Sequence, residues 1–344
     1  MIQVSRAARW LGATGFAVFA LGAMASTASA QTVLRVCGPL VSGNYVLGRN
    51  IAAAGDCFTL MGENVAIDFK GKTLTGDGTG SGITDGAVAR NYAAFHNGKI
   101  RKFATGIDLG SSGNASLNKM DVSKNVGAGI QIGNCCNTLN GVKVNDNGGD
   151  GAELLGCCHS VTKSSAAKNG GAGFDMQGCC SVFNSGKSTD NAAEGITMTG
   201  CCNSVDGSTI AGNGSTGVSS TGSSSFLTDS KVQKNGGDGV FMDGCCNSVN
   251  KCTVTSNGGN GVTLENGNNQ VTASKVNKNA GVGIEMSDDT GNRITSSQAN
   301  GNDTGASVLC PGVVVDFKAT KNPSGNLLED TIGGECTNLG NKAQ

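Results

Sequence analysis

The sequence predicts an all-β solenoid: a right-handed parallel β-helix of about ten to twelve coils, each of roughly 22 residues, behind a signal peptide. Three observations predict it. Asn recurs without a break at Asn125, Asn147, Asn169, Asn191, Asn213, Asn235, Asn257 and Asn279. Gly follows four residues later, at Gly129, Gly151, Gly173 and onward through Gly305. The composition, with 56 Gly, 3 Pro and 4% aromatics, disfavours helices.

Residues 1–30 read as a secretory signal. Arg6 and Arg9 form the basic region, Leu11 to Met24 the apolar stretch, and Ala28-Ser29-Ala30 a cleavage site before Gln31. The apolar stretch is shorter than the ~20 residues of a spanning helix, and no other stretch approaches that length, so no transmembrane segment is expected. Export to the periplasm or the medium follows, and it sets how the 15 cysteines are read. With 38% apolar residues the chain is not disordered, and a net charge of −1 gives no reason to expect nucleic acid as a partner. Oligomeric state leaves no mark in the sequence.

The repeat divides the rest into N-terminal capping coils (31–90), β-helix repeats (91–312) and a C-terminal cap (313–344). After most of the repeating glycines, two apolar positions alternate with polar ones, as in Ile130 and Ile132 or Phe174 and Met176, which describes a strand with one buried face. Before each Asn lie two further apolar columns, one running Leu117, Leu139, Val161, Phe183 and the other Val122, Val144, Ala166, Ser188. Between them runs a small-residue column: Ser164, Gly186, Ser208, Ser230, Cys252, Ser274 and Ser296. One such coil cannot bury its apolar face alone, but coils stacked about 4.8 Å apart can. The Asn column is expected to hydrogen-bond along the stack, and the Gly column to supply backbone freedom at the turn. Leucine-rich and propeller repeats fit worse in consensus or period. Gly170 to Met176 partly matches a calcium-binding nonapeptide, but the Asp of that motif does not recur in the other coils.

The Asn-x-x-x-Gly coil resembles the parallel β-helix repeats of the pectin-lyase-like superfamily. The opening segment, from Cys37-Gly38 through Cys57 to Asn64-Val65-Ala66-Ile67-Asp68 and Gly76, is similar to the N-terminal module of its secreted members. The resemblance covers nearly all of the mature chain. It implies the fold, and leaves open lyase, hydrolase, epimerase, adhesin or non-catalytic roles.

Ten cysteines form five adjacent pairs at one coil position: Cys135-Cys136, Cys157-Cys158, Cys179-Cys180, Cys201-Cys202 and Cys245-Cys246, with Ser223-Ser224 at the missing step. They are read as packed turn residues, as inter-coil disulfides, or as a thiolate site for a soft metal, with the first eight as candidate ligands. The missing step leaves one pair free, joined to itself, or bonded to Cys252. Cys37 with Cys57, and Cys310 with Cys336, are expected to clamp the two ends as disulfides.

No catalytic set can be identified from the sequence, and the catalytic residues stay unknown. Polygalacturonase-like enzymes would need a Gly-His-Gly that is absent, which leaves Asp288-Asp289 as a solvated turn. His159 follows a cysteine pair and reads as an exposed turn residue with some capacity as a fourth ligand. His96 lies near Lys99, Arg101 and Lys102 in the one basic stretch, the place to look for a lyase base. An outward column reads Lys143, Ser165, Lys187, Thr209, Lys231, Thr253, Lys275, Ser297, first a device against sheet association and second a surface for an anionic glycan. The expectation is a secreted structural or carbohydrate-binding scaffold with no cofactor, calcium or a soft metal being the exceptions to test. A polysaccharide lyase is the alternative, and a periplasmic metal-binding protein similar to nitrous oxide reductase maturation proteins the third.

Overall fold

The computed structural model describes residues 31–287, 291–309, 312–330, 337–339 and 341–343. The signal segment, Asp288-Asp289, and Cys310 with Cys336 lie outside the described residues.

Each coil makes three short strands. In one coil these are Ile130–Ile132, Thr138–Asn140 and Lys143–Asn145. Strands of successive coils pair in parallel, Ile130 with Ala152, Leu139 with Val161 and Val144 with Ala166, so like positions become vertical neighbours. Among the described residues this builds one sheet of 27 strands, with two per repeating coil, and a second of 14. The second sheet corresponds to about thirteen turns, slightly more than the 22-residue rows alone count. Coils of irregular length at both ends join the same ladders, from Gly38–Leu40 to Gly325–Asp330.

The apolar columns are buried inside, with Leu139, Val161, Phe183, Val144 and Ile132 all fully covered. Phe174 and Phe183 meet with ring centroids 4.9 Å apart. Room for the Phe183 ring comes from Gly186, since a Cβ there would run into the ring. Ser188 takes an apolar position, but its hydroxyl donates to Gly195 O at 2.6 Å and so satisfies itself.

The Asn column is a continuous buried ladder. Asn169 Nδ2 donates to Asn191 Oδ1 at 2.8 Å, and Asn191 Nδ2 to Asn213 Oδ1 at 2.9 Å. Each Oδ1 also accepts the backbone N–H of the preceding Asn, as Asn213 does from Asn191 at 3.1 Å. The ladder continues to Asn302 and Asn322.

Two expectations need correction. The Gly129-to-Gly305 column is not held by left-handed backbone. A Cβ at Gly217 would stand 2.6 Å from both Gly239 O and Asn235 Nδ2, so close approach of the next coil, not turn freedom, excludes side chains. Left-handed conformations fall instead on residues such as Lys119 (φ 53), Lys163 (φ 50) and Cys158 (φ 57). The second correction concerns register. One residue is added between Val271 and Ile294, which pair 23 positions apart, so Ser297, not Ser296, completes the small column. Gln298 then follows Lys275 on the outward column.

Candidate functional site

Alternation along each strand decides which side chains leave the core. On the first sheet, the residue opening the strand after the left-handed bend points outward. It is Lys in Lys143, Lys187, Lys231, Lys275 and Lys318, all exposed. The same register runs back through Asp121 to Lys99 and forward to Lys342. Lysine therefore occupies alternate rungs from Lys99 to Lys318, roughly 9.6 Å apart at ~4.8 Å per coil.

Two clefts open beside this row, at the bend between the paired strands. One of about 480 Å³ is lined by Lys99, Lys119, Asp121 and Lys143 with Gly98 and Gly141. The other, of about 310 Å³, holds Lys275, Gln298, Asp316 and Lys318. Of the basic stretch, Lys99 enters the first cleft while His96 and Arg101 do not line it. His96 Nε2 faces Asp68 Oδ2 at 3.9 Å, and Arg101 Nε reaches Thr75 Oγ1 at 3.5 Å.

The second sheet carries the opposite sign. None of its strands among the described residues holds Lys or Arg, whereas Asp108, Glu153, Asp175, Asp243, Glu265 and Glu285 lie on them. Glu153 pairs in register with Asp175. Burial first, and then the neighbouring carboxylates, raise both above the ordinary carboxyl range. Asp108 is likewise raised, chiefly by burial. Asp175 Oδ2 accepts from Gln177 at 3.0 Å, while Oδ1 is covered and finds no partner.

The third corner of the coil carries sulfur. Cys135–Cys157 is a disulfide there, with Cα atoms 4.5 Å apart, and Cys37–Cys57, at the opposite end of the second-sheet strand, is another at 4.6 Å. Cys179 and Cys201 stand in the same one-coil relation with Sγ atoms 2.7 Å apart, and Cys245 Sγ lies 2.8 Å from Cys246 Sγ. The Cys201 thiol, donating to Cys179, is pushed up to about 12, and Cys179 is correspondingly lowered. The second cysteine of each pair is exposed and in left-handed backbone, as at Cys180 (φ 61) and Cys202 (φ 59). Cys252 is buried in the serine column, its Sγ 3.2 Å from Asn250 O, and burial raises its thiol to about 11. Among the described residues no group of three or more His, Cys, Asp or Glu is placed to hold a metal ion. Of the eight candidate ligands, Cys135 and Cys157 are bonded to each other, and Cys136, Cys158, Cys179, Cys180, Cys201 and Cys202 are free.

His159 is not an exposed turn residue. It is 1% exposed and points into the corner behind the cysteines. It belongs to a second inward polar column that the sequence reading missed: Asn137, His159, Ser181, Asn203, Ser225, Asn247, Asn269 and Asn292. Asn203 Oδ1 accepts from Ser181 N at 2.8 Å, and Asn203 Nδ2 donates to Thr199 O at 3.1 Å, so the column caps the turn. The signal was present as Asn after Cys-Cys in three of the five pairs.

A parallel solenoid of this kind is a right-handed β-helix protein. Residues 128–274 and 194–343 match the family described as right handed beta helix region, which spans more than half of the chain, and the chain belongs to that family. The A-module of mannuronan C-5 epimerase AlgE6 from Azotobacter vinelandii is similar over 91% of this chain and 90% of that one, at 15% identity and a TM-score of 0.65. The AlgE4 A-module from the same organism is 12% identical over 89% and 91%, with a TM-score of 0.48. Tailspike protein 3 of bacteriophage CBA120 is 12% identical over 90% of this chain and 56% of that one, with a TM-score of 0.48. Compared by sequence with curated proteins, the chain has no match. At these identities the likeness establishes the fold.

Proposed function

We propose that the protein is an exported, non-catalytic β-helix scaffold that binds an anionic polysaccharide along its lysine-bearing face. The observation that carries this reading is charge segregation. Exposed Lys stands in register on one sheet, where the carboxylates are few (Asp68, Asp121 and Asp206), whereas the strands of the other hold carboxylates and, among the described residues, no Lys or Arg. Like charges two coils apart suit a linear polymer with regularly spaced carboxylates lying along the stack, and the bend clefts give its sugars somewhere to rest. The AlgE6 module, named for its action on mannuronan, has a similar fold. Export draws support from the pattern of residues 1–30 and from the two disulfides, which belong to oxidising compartments.

Affinity electrophoresis through gels containing pectate, alginate or hyaluronan, against neutral glucans, tests it. Retardation by the carboxylated polymers alone is expected, and equal mobility in all gels contradicts the reading.

A catalytic second reading is favoured by the Glu153 and Asp175 carboxyls, which stand on adjacent rungs and are both raised by burial. It predicts turnover of one of these polysaccharides, with or without calcium, that is lost in Asp175→Asn. Unchanged polymer after prolonged incubation removes it.

A further inference from the structure

The sulfur corner has an arithmetic of its own. In its inner column Cys135 and Cys157 are bonded, and Cys179 and Cys201 face each other one coil apart. Their exposed neighbours Cys136, Cys158, Cys180 and Cys202 occupy consecutive coils, so each has a cysteine within one rung. Cys245 and Cys246 do not. The coil before them presents Ser223 and Ser224, whose N–H donates to Cys245 O, and the coil after presents Gly267, which accepts from Cys246 N. Cys252 is sealed in the core with its thiol on backbone carbonyls. Each of these two sulfurs therefore has the other as its cysteine neighbour, at 2.8 Å on an exposed turn.

We propose that Cys245 and Cys246 form a redox-active dithiol that exchanges with external disulfides, while the other coil-to-coil pairs are structural. Cys245 is the attacking sulfur and Cys246 the resolving one. Hydrogen bonds from Cys246 and then Ser223 lower the Cys245 thiol, whereas the same contact raises Cys246. Ser223 thus does two things: it withholds the cysteine that would have locked Cys245 into a rung, and it supplies a hydroxyl to the Cys245 sulfur.

The exchange balances with a disulfide RSSR as the oxidant. The Cys245 thiolate attacks one sulfur, forming the mixed disulfide Cys245–S–S–R and expelling RS⁻, which takes up the Cys246 proton. The Cys246 thiolate then attacks Cys245 Sγ, closing the Cys245–Cys246 bond and releasing the second thiolate. Two thiols are oxidised to one disulfide and RSSR is reduced to two RSH.

The test uses the full chain, mildly reduced, and glutathione disulfide as the probe, read by mass spectrometry of the peptide that holds Cys245 and Cys246. Wild type is expected to carry a Cys245–Cys246 bond with no glutathione retained on either cysteine. Cys246→Ser should stop at the mixed disulfide, with glutathione retained on Cys245. Ser223→Cys should restore a coil-to-coil rung to Cys245 and lose the exchange while remaining folded by circular dichroism. The proposal is overturned if Cys246→Ser retains no glutathione on Cys245, if wild type bonds Cys245 to a cysteine of another coil, or if Ser223→Cys exchanges as wild type does.

Discussion

His159 stands where neighbouring coils place Ser or Asn, and its buried ring leaves Nε2 without a partner. Burial lowers its pKa below the ordinary 6.5, opposed in part by the Leu155 carbonyl. The neutral form is the one the fold accepts. As pH falls through 6.5 the unfolded chain takes up a proton before the folded one does, so this residue's contribution, whole above that range, drains away down to the lowered folded value. His159→Asn fits the column and removes an orphaned nitrogen. It should raise stability by about 1–3 kcal/mol in urea unfolding at neutral pH and flatten the loss below pH 6.5. A destabilised variant contradicts the capping role. This site was partly legible: Asn137, Asn203 and Asn247 all follow a cysteine pair, but His159, Ser181 and Ser225 broke the column into three letters. The inward turn of these side chains depends on the left-handed residue before each, and that leaves no signature when it is Cys.

At the scale of the element, the coil is held by polar ladders as much as by its apolar columns. Asn213 Oδ1 accepts two buried donors from Asn191, and Asn213 Nδ2 continues to Asn235 at 2.9 Å. Asn213→Ala leaves the buried Asn191 N–H without its acceptor, at about 1–3 kcal/mol, and leaves Asn191 Nδ2 with Ser188 Oγ alone. Urea unfolding should show that loss, and hydrogen exchange should quicken first in the coils flanking residue 213. A variant as stable as wild type would mean the ladder is ornamental. The periodic Asn and Gly made the coil readable because stacking converts sequence period into vertical contact. Reading failed where the period slipped: the residue added between Val271 and Ile294 moved Ser297 inward and Gln298 outward, a shift of one that reverses every side chain in a strand. The reason for the Gly column was also hidden, because close approach between coils has no sequence mark distinct from turn freedom.

For the whole molecule the governing feature is the separation of charge between the two sheets. Net charge conceals it, and the lysine row was visible without the acidic face opposite. Folding brings Asp108, Glu153 and Asp175 onto a partly covered surface that raises their pKa values. The sign is opposite to that of His159. These carboxyls bind protons more tightly folded than unfolded, so their favourable contribution is complete below the ordinary carboxyl range and is lost as pH rises through the raised values. Asp175→Asn should therefore be more stable than wild type at neutral pH, the difference closing in acid, as thermal unfolding across pH will show.

Binding along the lysine face is tested most directly by titrating alginate into wild type and into a variant with Lys143, Lys187, Lys231 and Lys275 all changed to Glu, at two salt concentrations. Wild type should bind and weaken as salt is raised, and the variant, folded but reversed in charge on that face, should not bind at either. Equal affinity in the two proteins, or wild-type binding indifferent to salt, would contradict the assignment of this surface.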